Sequence, residues 1–300
     1  MAPDQDPRNS WPEVVPGLHA ELAVARDLDL LPEPWRRLRR PRSVAGRILR
    51  FRSAGRFLTG ELERLREWIQ SDEEQRLLAQ VRRGRDVCWT HDEGTDPLVT
   101  VRIATYNRGR LVVDRAIESV LDQTYSKLEV LVIGDACDEA TSTAVESVDD
   151  DRVRFVNLPT RGLYPDDPEA RWMVAGAHPM NTALALARGT WIAPCDDDDR
   201  FTRSHVEQLL DHALRNRLEM VWSRAALRQP DRSWVVTHGP PLKCGHVSHG
   251  SVLYSLGLRF FRHNDTCWKL PEPGDWNLWR RMQRAGVRIG FLDALTYFHY

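Results

Sequence analysis

Strand-like and helix-like segments alternate regularly after residue 97, and this order limits the chain to few folds. Nearly continuous apolar runs lie at 98–105, 128–133 and 153–156, and segments with helical apolar spacing lie between them at 111–121 and 141–148. Apolar strands that are separated by helices are typical of a parallel sheet covered on both faces. The sequence therefore predicts an α/β domain that begins β-α-β-α-β.

A further helix and strand lead directly into the most acidic segment of the chain. A helix is predicted over 177–187 and a strand over 190–193, and the strand runs into four consecutive aspartates, Asp196 to Asp199. The next helix is predicted from Ser204, with Glu207 as its capping-box partner. The aspartates thus follow the carboxyl end of a strand, which is where open α/β sheets bind ligands.

Four adjacent carboxylates repel one another, so this turn needs a counter-charge if all of them are ionised. A divalent cation such as Mn²⁺ or Mg²⁺ would supply it, because such ions prefer oxygen ligands. The alternative is a solvated acidic turn without a ligand. A calcium-binding loop is excluded, because Arg200 and Phe201 stand where that loop needs an oxygen ligand and a glycine.

The first 96 residues have a different character, and we place a domain boundary near Asp96. The lead-in is rich in Pro, Asp and Glu and is predicted to be disordered. Arginines recur densely from Arg36 to Arg56, and a series at Leu58, Leu62, Leu65 and Ile69 predicts an amphipathic helix. Ser71 and Glu74 resemble a capping box that would start a second helix. The prediction is an arginine-rich helical region over 1–96.

Composition excludes several classes of protein. The net charge of -1 gives no overall attraction to nucleic acid. No window approaches the roughly 20 apolar residues of a spanning helix, and the N-terminus lacks an apolar signal core. The number of cysteines is odd, five, without a repeated spacing. We expect a protein of a reducing, cytoplasmic environment.

Four short segments occur in a specific order on the predicted elements: Val101–Arg108 (VRIATYNR), Ile133–Cys137 (IGDAC), Gly189–Asp199 (GTWIAPCDDDD) and Gly274–Arg280 (GDWNLWR). Together they resemble the family 2 glycosyltransferases of the GT-A fold, over about residues 97–300. The resemblance implies a Rossmann-like, mostly parallel sheet flanked by helices, here with an N-terminal helical appendage. It also implies sugar transfer from a nucleotide-diphospho-sugar donor to an acceptor hydroxyl.

The resemblance assigns roles to particular positions. It implies a divalent metal, Mn²⁺ or Mg²⁺, held by Asp196 and Asp198, with His299 as a further ligand or a surface residue. The residues implied for nucleotide-sugar binding are Thr105, Asn107, Arg108, Asp135, Asn181 and Asp197. Met180 stands where the family usually has arginine, and Gly134 stands where it often has a second acid.

Asp275 is implied as the general base of an inverting transfer, because the attacking hydroxyl must lose a proton. The alternative is a simple helix cap, since Pro273 and Gly274 announce a helix start and Asp caps well. Both roles can hold together. Among the tryptophans, Trp268, Trp276 and Trp279 are candidates for either an acceptor platform or the core.

Three other interpretations compete with an active transferase. A noncatalytic nucleotide-sugar-binding or partner-recruiting module would keep the fold without turnover. A nicotinamide dehydrogenase is disfavoured, because the first strand-helix turn lacks Gly-x-Gly-x-x-Gly. Cysteines and histidines between Cys244 and Cys267 do not have the spacing of common zinc sites.

The expected partners are the donor and a carbohydrate or lipid-linked acceptor, with peripheral membrane contact through Arg36–Arg56 as a further hypothesis.

Overall fold

The structure is a computed structural model that describes residues 44–84 and 96–300, with side chains from residue 58 onward. The chain divides by compactness between Thr59 and Gly60. The predicted disordered lead-in and the first part of Arg36–Arg56 lie outside the described residues. The boundary near Asp96 stays a prediction from the change in sequence pattern.

The four strands predicted from the sequence form the parallel part of the sheet. They are β1 (Val99–Thr105), β2 (Leu128–Gly134), β3 (Val153–Asn157) and β4 (Trp191–Asp196). Their order is β3-β2-β1-β4, and each adjacent pair is parallel. Ala104 lies opposite Asp196, so the carboxyl ends of β1 and β4 are neighbours.

Within the described residues, five more strands complete a nine-stranded sheet: β5 (Arg200–Phe201), β6 (Met220–Arg228), β7 (Trp234–Val236), β8 (Val252–Ser255) and β9 (Ile289–His299). β8 lies antiparallel beside β4, and β6, β9 and β5 follow. β6 and β9 are parallel, which agrees with the mostly parallel sheet expected from the sequence. The β5–β9 pairing, Arg200 opposite Phe298, brings the end of the chain to the acidic turn.

The helices cover the two faces of this sheet. In chain order they are α1 (Val44–Arg83), a π-helical turn (Val113–Ile117) that continues into α2 (Glu118–Leu121), α3 (Glu139–Glu146), α4 (Pro168–Val174), α5 (Ala177–Leu186), α6 (His205–Arg215) and α7 (Gly274–Ala285). The apolar stripe predicted for the first of the domain helices is buried, as at Ala116, Ile117 and Val120. No helix in the described ranges is both long and apolar enough to cross a membrane.

Two apolar clusters fix the position of the site. One fills the space between β1, β2, β4 and α6, and the other lies where β8, β6 and α7 meet, around Trp222 and Trp279. Trp279 is therefore a core residue rather than an acceptor platform. The four cysteines that the structure describes are free.

Two details of the predicted helices are wrong. Ser71 does not begin a second helix, because α1 is continuous from Val44 to Arg83 and the Ser71 hydroxyl donates to the Trp68 carbonyl within it. Glu207 does not form a capping box with Ser204, because its carboxylate accepts a hydrogen bond from the Thr124 hydroxyl. In the first case a hydrogen bond within the continuous helix replaces the predicted capping interaction, and in the second a tertiary hydrogen bond replaces it.

The amphipathic character predicted for α1 is present, but the buried face is the polar one. The side chains of Glu63, Glu67 and Glu74 are nearly inaccessible to solvent. The apolar residues Leu62, Leu65 and Ile69, which predicted the helix, instead face solvent. Because buried carboxylates need partners, each glutamate meets a polar group of the domain. These partners are Asn264 and Thr266 for Glu63, Asn277 and Arg280 for Glu67, and Arg281 for Glu74.

Candidate active site

A cleft of about 850 Å³ opens at the carboxyl ends of β1 and β4. Eight of the site residues inferred from the sequence line it: Thr105, Arg108, Asp135, Asp196, Asp197, Asp198, Asp275 and His299. They come from five separate places in the chain and are brought together by the parallel strand order and by the return of β9. Asn107 and Asn181 are not among the lining residues.

Asp199 is the most enclosed of the four aspartates and anchors the acidic turn. Its carboxylate accepts a hydrogen bond from the Tyr297 hydroxyl (2.5 Å) and one from the Tyr300 amide (2.9 Å), and it lies 2.7 Å from Nδ1 of His299. The hydrogen bond to Asp199 raises the pKa of His299 to about 9. Tyr297 and His299 share one face of β9 because side chains alternate along a strand.

Asp197 and Asp198 are paired with one arginine. Nε of Arg108 lies 3.2 Å from Asp197, and its Nη2 lies 2.9 Å from Asp198. Burial nevertheless raises the pKa of Asp197 to about 6, because the nearby Arg108 only partly offsets the loss of hydration. Burial and the neighbouring Asp199 also raise the pKa of Asp198. The protein itself therefore supplies part of the counter-charge that the sequence led us to expect from a metal.

The Asp196 carboxylate contacts a histidine, and that histidine contacts a buried arginine. Its Oδ1 lies 2.7 Å from Nδ1 of His249, whose Nε2 lies 3.2 Å from Nη2 of Arg102. An arginine can only donate, so His249 accepts at Nε2 and carries its proton on Nδ1, pointing at Asp196. Burial opposes ionisation of Asp196, but His249, His299 and Arg102 together outweigh it and keep the pKa of this carboxyl below its ordinary value.

Asp196, Asp199 and His299 form the one group of potential metal ligands found among the described residues. One ligand atom from each lies within 4.8 Å of the others. Two carboxylates and an imidazole fit a divalent cation such as Mn²⁺ or Mg²⁺. Asp198, the ligand expected from the sequence, is not in this group and pairs with Arg108 instead. The Cys244–Cys267 cysteines and histidines form no such group within the ranges that the structure describes.

Asp275 lies in the first turn of α7 and faces the same cleft as the acidic turn. The residue at the N-cap position is Pro273, and the Asp275 carboxylate accepts a hydrogen bond from the amide of Trp276 (2.7 Å). Burial raises the pKa of Asp275, while His249 opposes this shift. A carboxylate whose pKa is raised toward neutrality is a better proton acceptor than an ordinary one.

Asp135 organises one wall of the cleft. Its two oxygens accept hydrogen bonds from the Gly162 amide (2.9 Å) and from the Tyr164 hydroxyl (2.5 Å). The residue that precedes Gly162, Arg161, has its guanidinium 3.6 Å from the centre of the Tyr106 ring. Asp135 thus fixes a loop that presents an aromatic ring and an arginine to the cleft.

The two predicted residues outside the cleft have clear structural contacts. Asn107 has a positive φ of 51°, and its side chain accepts a hydrogen bond from the Asp138 amide at the start of α3. Asn181 exchanges two hydrogen bonds with the backbone of His263. Their implied contacts with the nucleotide stay predictions.

Sequence reasoning missed Arg102, which has no assigned role in the motifs. It is nearly inaccessible, and its Nη2 also lies 2.8 Å from Nε2 of His263. The signal was available, since Arg102 is the single charged residue in the buried strand β1. Tyr297 was missed as well, and its spacing of two from His299 is the pattern that places both on one face.

A sequence profile of Glycosyl transferase family 2 matches residues 100–165 and 171–275, more than half of the chain. The chain belongs to this family. The matched segments contain β1, the acidic turn and Asp275, so the family assignment covers both sides of the cleft.

Individual relatives agree with the family over shorter segments. The succinoglycan biosynthesis protein ExoO of Rhizobium meliloti is 35% identical over 39% of this chain and 30% of its own length. An Escherichia coli protein, the UDP-Glc:alpha-D-GlcNAc-diphosphoundecaprenol beta-1,3-glucosyltransferase WfgD, is 30% identical over 42% of this chain and 45% of its own. The chain thus matches less than half the length of these relatives.

Solved structures show the same fold. The crystal structure of S. aureus TarS 1-349 in complex with UDP superposes with a TM-score of 0.52, covering 67% of this chain and 60% of that one, at 17% identity. The fold is the GT-A fold of the family 2 glycosyltransferases, as the sequence resemblance implied.

Proposed function

We propose that this chain transfers a sugar from a nucleotide-diphospho-sugar to an acceptor hydroxyl, with inversion at the anomeric carbon. The observation that carries the proposal is the placement of the acidic turn and Asp275 around one cleft in a family 2 glycosyltransferase. The donor's diphosphate would lie at the turn, and the acceptor would approach from the side of α7.

The chemical step needs a base and a leaving group. The acceptor oxygen forms a bond to the anomeric carbon as the bond from that carbon to the diphosphate oxygen breaks, and the nucleoside diphosphate leaves with the electron pair. Asp275 takes the proton of the attacking hydroxyl on its carboxylate. The burial that raises its pKa favours this role, and its hydrogen bond from the Trp276 amide fixes its orientation.

A divalent cation would be held by Asp196, Asp199 and His299, whose donor atoms fit it. When bound, such an ion stabilises the negative charge that develops on the leaving diphosphate. The chain's own contribution is to orient these ligands. Tyr297 and the Tyr300 amide hold Asp199, and His249 holds Asp196.

For the donor, we propose a uridine nucleotide. The TarS structure contains UDP, and the relative WfgD is named for UDP-Glc. The wall formed by Asp135, Tyr106 and Arg161 supports a nucleoside there, because an aromatic ring under a guanidinium offers a stacking surface for a base. WfgD also suggests a lipid-diphosphate-linked acceptor, which would bring the chain close to a membrane surface.

Calorimetry with UDP and GDP, each with Mn²⁺ or with excess chelator, tests the donor side. We expect UDP to bind more tightly than GDP and to lose most of its affinity in chelator. Unchanged UDP affinity in chelator would remove the metal from the proposal. Asp211→Asn, on the exposed surface of α6, is the control for a change of charge away from the cleft.

The second candidate is a noncatalytic binding module on the same fold. It predicts donor binding without release of UDP when lipid-diphosphate-linked sugars are added. Mass-spectrometric detection of a glycosylated acceptor, together with UDP release, would exclude it. The position of Asp275 in the cleft favours the enzyme, because a binding module does not need a proton acceptor facing the cleft.

A further inference from the structure

The helix α1 presents an apolar stripe to solvent on the side away from the domain. Leu62, Leu65, Trp68 and Ile69 expose 67%, 49%, 63% and 61% of their surface. On the opposite side, Gly60, Glu67 and Glu74 recur every seven residues and are buried. The contacts with the domain therefore leave the stripe accessible, and contiguous apolar surface of this kind usually marks an interaction site.

The stripe follows the seven-residue repeat of a coiled coil. Leu62 and Ile69 take position a of the repeat and Leu65 takes position d. Toward the N-terminus, the alternating spacing of three and four residues continues in the sequence at Leu58, Phe51, Ile48 and Val44. One position of this repeat is occupied by a glycine, Gly55. This repeat covers more than three heptads, or about 39 Å at 1.5 Å per residue. A repeat of that length and narrowness indicates another helix as the partner.

The residues that flank the stripe indicate a second copy in parallel orientation. Glu61 is at position g and Arg66 at position e of the following heptad, which is the five-residue offset at which opposite charges meet across a parallel pair. In the single chain Glu61 forms an exposed ion pair with Arg64, which is weak enough to exchange. Ile69 at position a together with Leu65 at position d favours two strands.

A lipid surface fits this part of the helix less well. Between residues 60 and 76 acidic side chains accompany the arginines, with Glu61, Asp72 and Glu73 exposed beside the stripe. Anionic membranes attract segments that are rich in basic residues alone. A narrow apolar stripe that is flanked by both acidic and basic side chains is the arrangement expected between two helices.

We propose that the chain forms a homodimer through a parallel, two-stranded coiled coil of α1, with Leu62, Leu65 and Ile69 in the seam. Each domain then lies on the outer side of its own helix, because the buried glutamates face away from the seam. None of the residues that line the cleft belongs to α1, so the coiled coil itself uses none of them.

Sedimentation equilibrium of the full chain tests this directly. The expected mass is twice the 34.6 kDa of one chain, about 69 kDa. Leu65→Glu should weaken dimerisation by about 100-fold or more, because it places two unpaired carboxylates in the seam. Gln80→Glu, an exposed position of the same helix beyond the stripe, adds the same charge and should leave the dimer intact. A monomer at tens of micromolar, a trimer, or a dimer indifferent to Leu65→Glu would overturn the proposal.

Cysteine cross-linking tests the orientation. Leu58→Cys and Leu65→Cys each place a thiol at position d, so each variant alone should form an intermolecular disulfide under mild oxidation, whereas Arg64→Cys and the wild-type chain should not. Cross-linking at only one of the two seam positions would indicate antiparallel helices and refute the parallel arrangement. Monomeric protein that co-sediments with anionic vesicles, and loses this on Leu65→Glu, would assign the stripe to a lipid surface instead.

Discussion

Replacing Arg281 tests whether α1 docks through its acidic face. Arg281 and Glu74 are buried, with 1% and 3% of their side chains exposed, and Nε of Arg281 lies 2.9 Å from the glutamate. The other oxygen of Glu74 is buried and has no hydrogen-bond partner among the residues that the structure describes. Arg281→Met therefore leaves a carboxylate enclosed with no cation beside it.

Breaking a buried ion pair in this way costs about 3–5 kcal/mol. For a unit of this size each kcal/mol lowers Tm by about 2–4 °C, so we expect Arg281→Met to lower Tm by about 6–20 °C. The double variant Glu74→Leu/Arg281→Met should recover most of that loss, because two apolar groups can replace a buried pair at little cost.

The control is Arg76→Met, which removes an exposed ion pair with Glu73 on the same helix. Such pairs are worth about 1 kcal/mol at most, so Tm should change by only a few degrees. The measurement is thermal unfolding followed by circular dichroism. If Arg281→Met behaved like Arg76→Met, or if the double variant were as unstable as the single one, α1 would not dock through its glutamates.

Three further predictions concern the cleft. Arg102→Met should reduce Mn²⁺ affinity or turnover by about 10- to 100-fold, because it removes the donor that fixes His249 beside Asp196. An unchanged Mn²⁺ affinity in calorimetry, together with an unchanged rate of turnover, would refute this. Asp199→Asn should weaken Mn²⁺ binding more than Asp198→Asn in the same titration, and the reverse order would restore the ligand assignment made from the sequence. Tyr164→Phe should weaken UDP binding severalfold by loosening the loop held by Asp135, with no effect on Mn²⁺ affinity.

The sequence predicted the domain's strand and helix order well because each element has a strong local signal. The apolar runs of β1, β2 and β4 and the buried stripe around Ile117 need no knowledge of distant residues. The acidic turn was correctly placed at the carboxyl end of β4 for the same reason. The motif order then led to the family, which the profile match confirms.

Contacts between distant parts of the chain were beyond local patterns. The assignment of Asp198 as a ligand, which follows from resemblance to the family's motif, stays a prediction. The contact of Asp199 with His299 and Tyr297, by contrast, depends on the pairing of β5 with β9 and could not be read from a local pattern. The sequence offered no reason for α1 to bury glutamates, because the arginines that receive them lie about 200 positions later. Local apolar spacing identified the helix, and only the distant partners decided which face docks.

The most direct test of the proposed mechanism is the rate of sugar transfer by Asp275→Asn at saturating donor and acceptor. The amide is nearly the same size and can still accept the hydrogen bond from Trp276, but it cannot take the proton of the attacking hydroxyl. We expect turnover to fall by about 10²- to 10⁴-fold while UDP affinity and Tm stay close to wild type. Asp265→Asn controls for the loss of a carboxylate outside the residues that line the cleft. Transfer by Asp275→Asn at close to the wild-type rate would contradict the account.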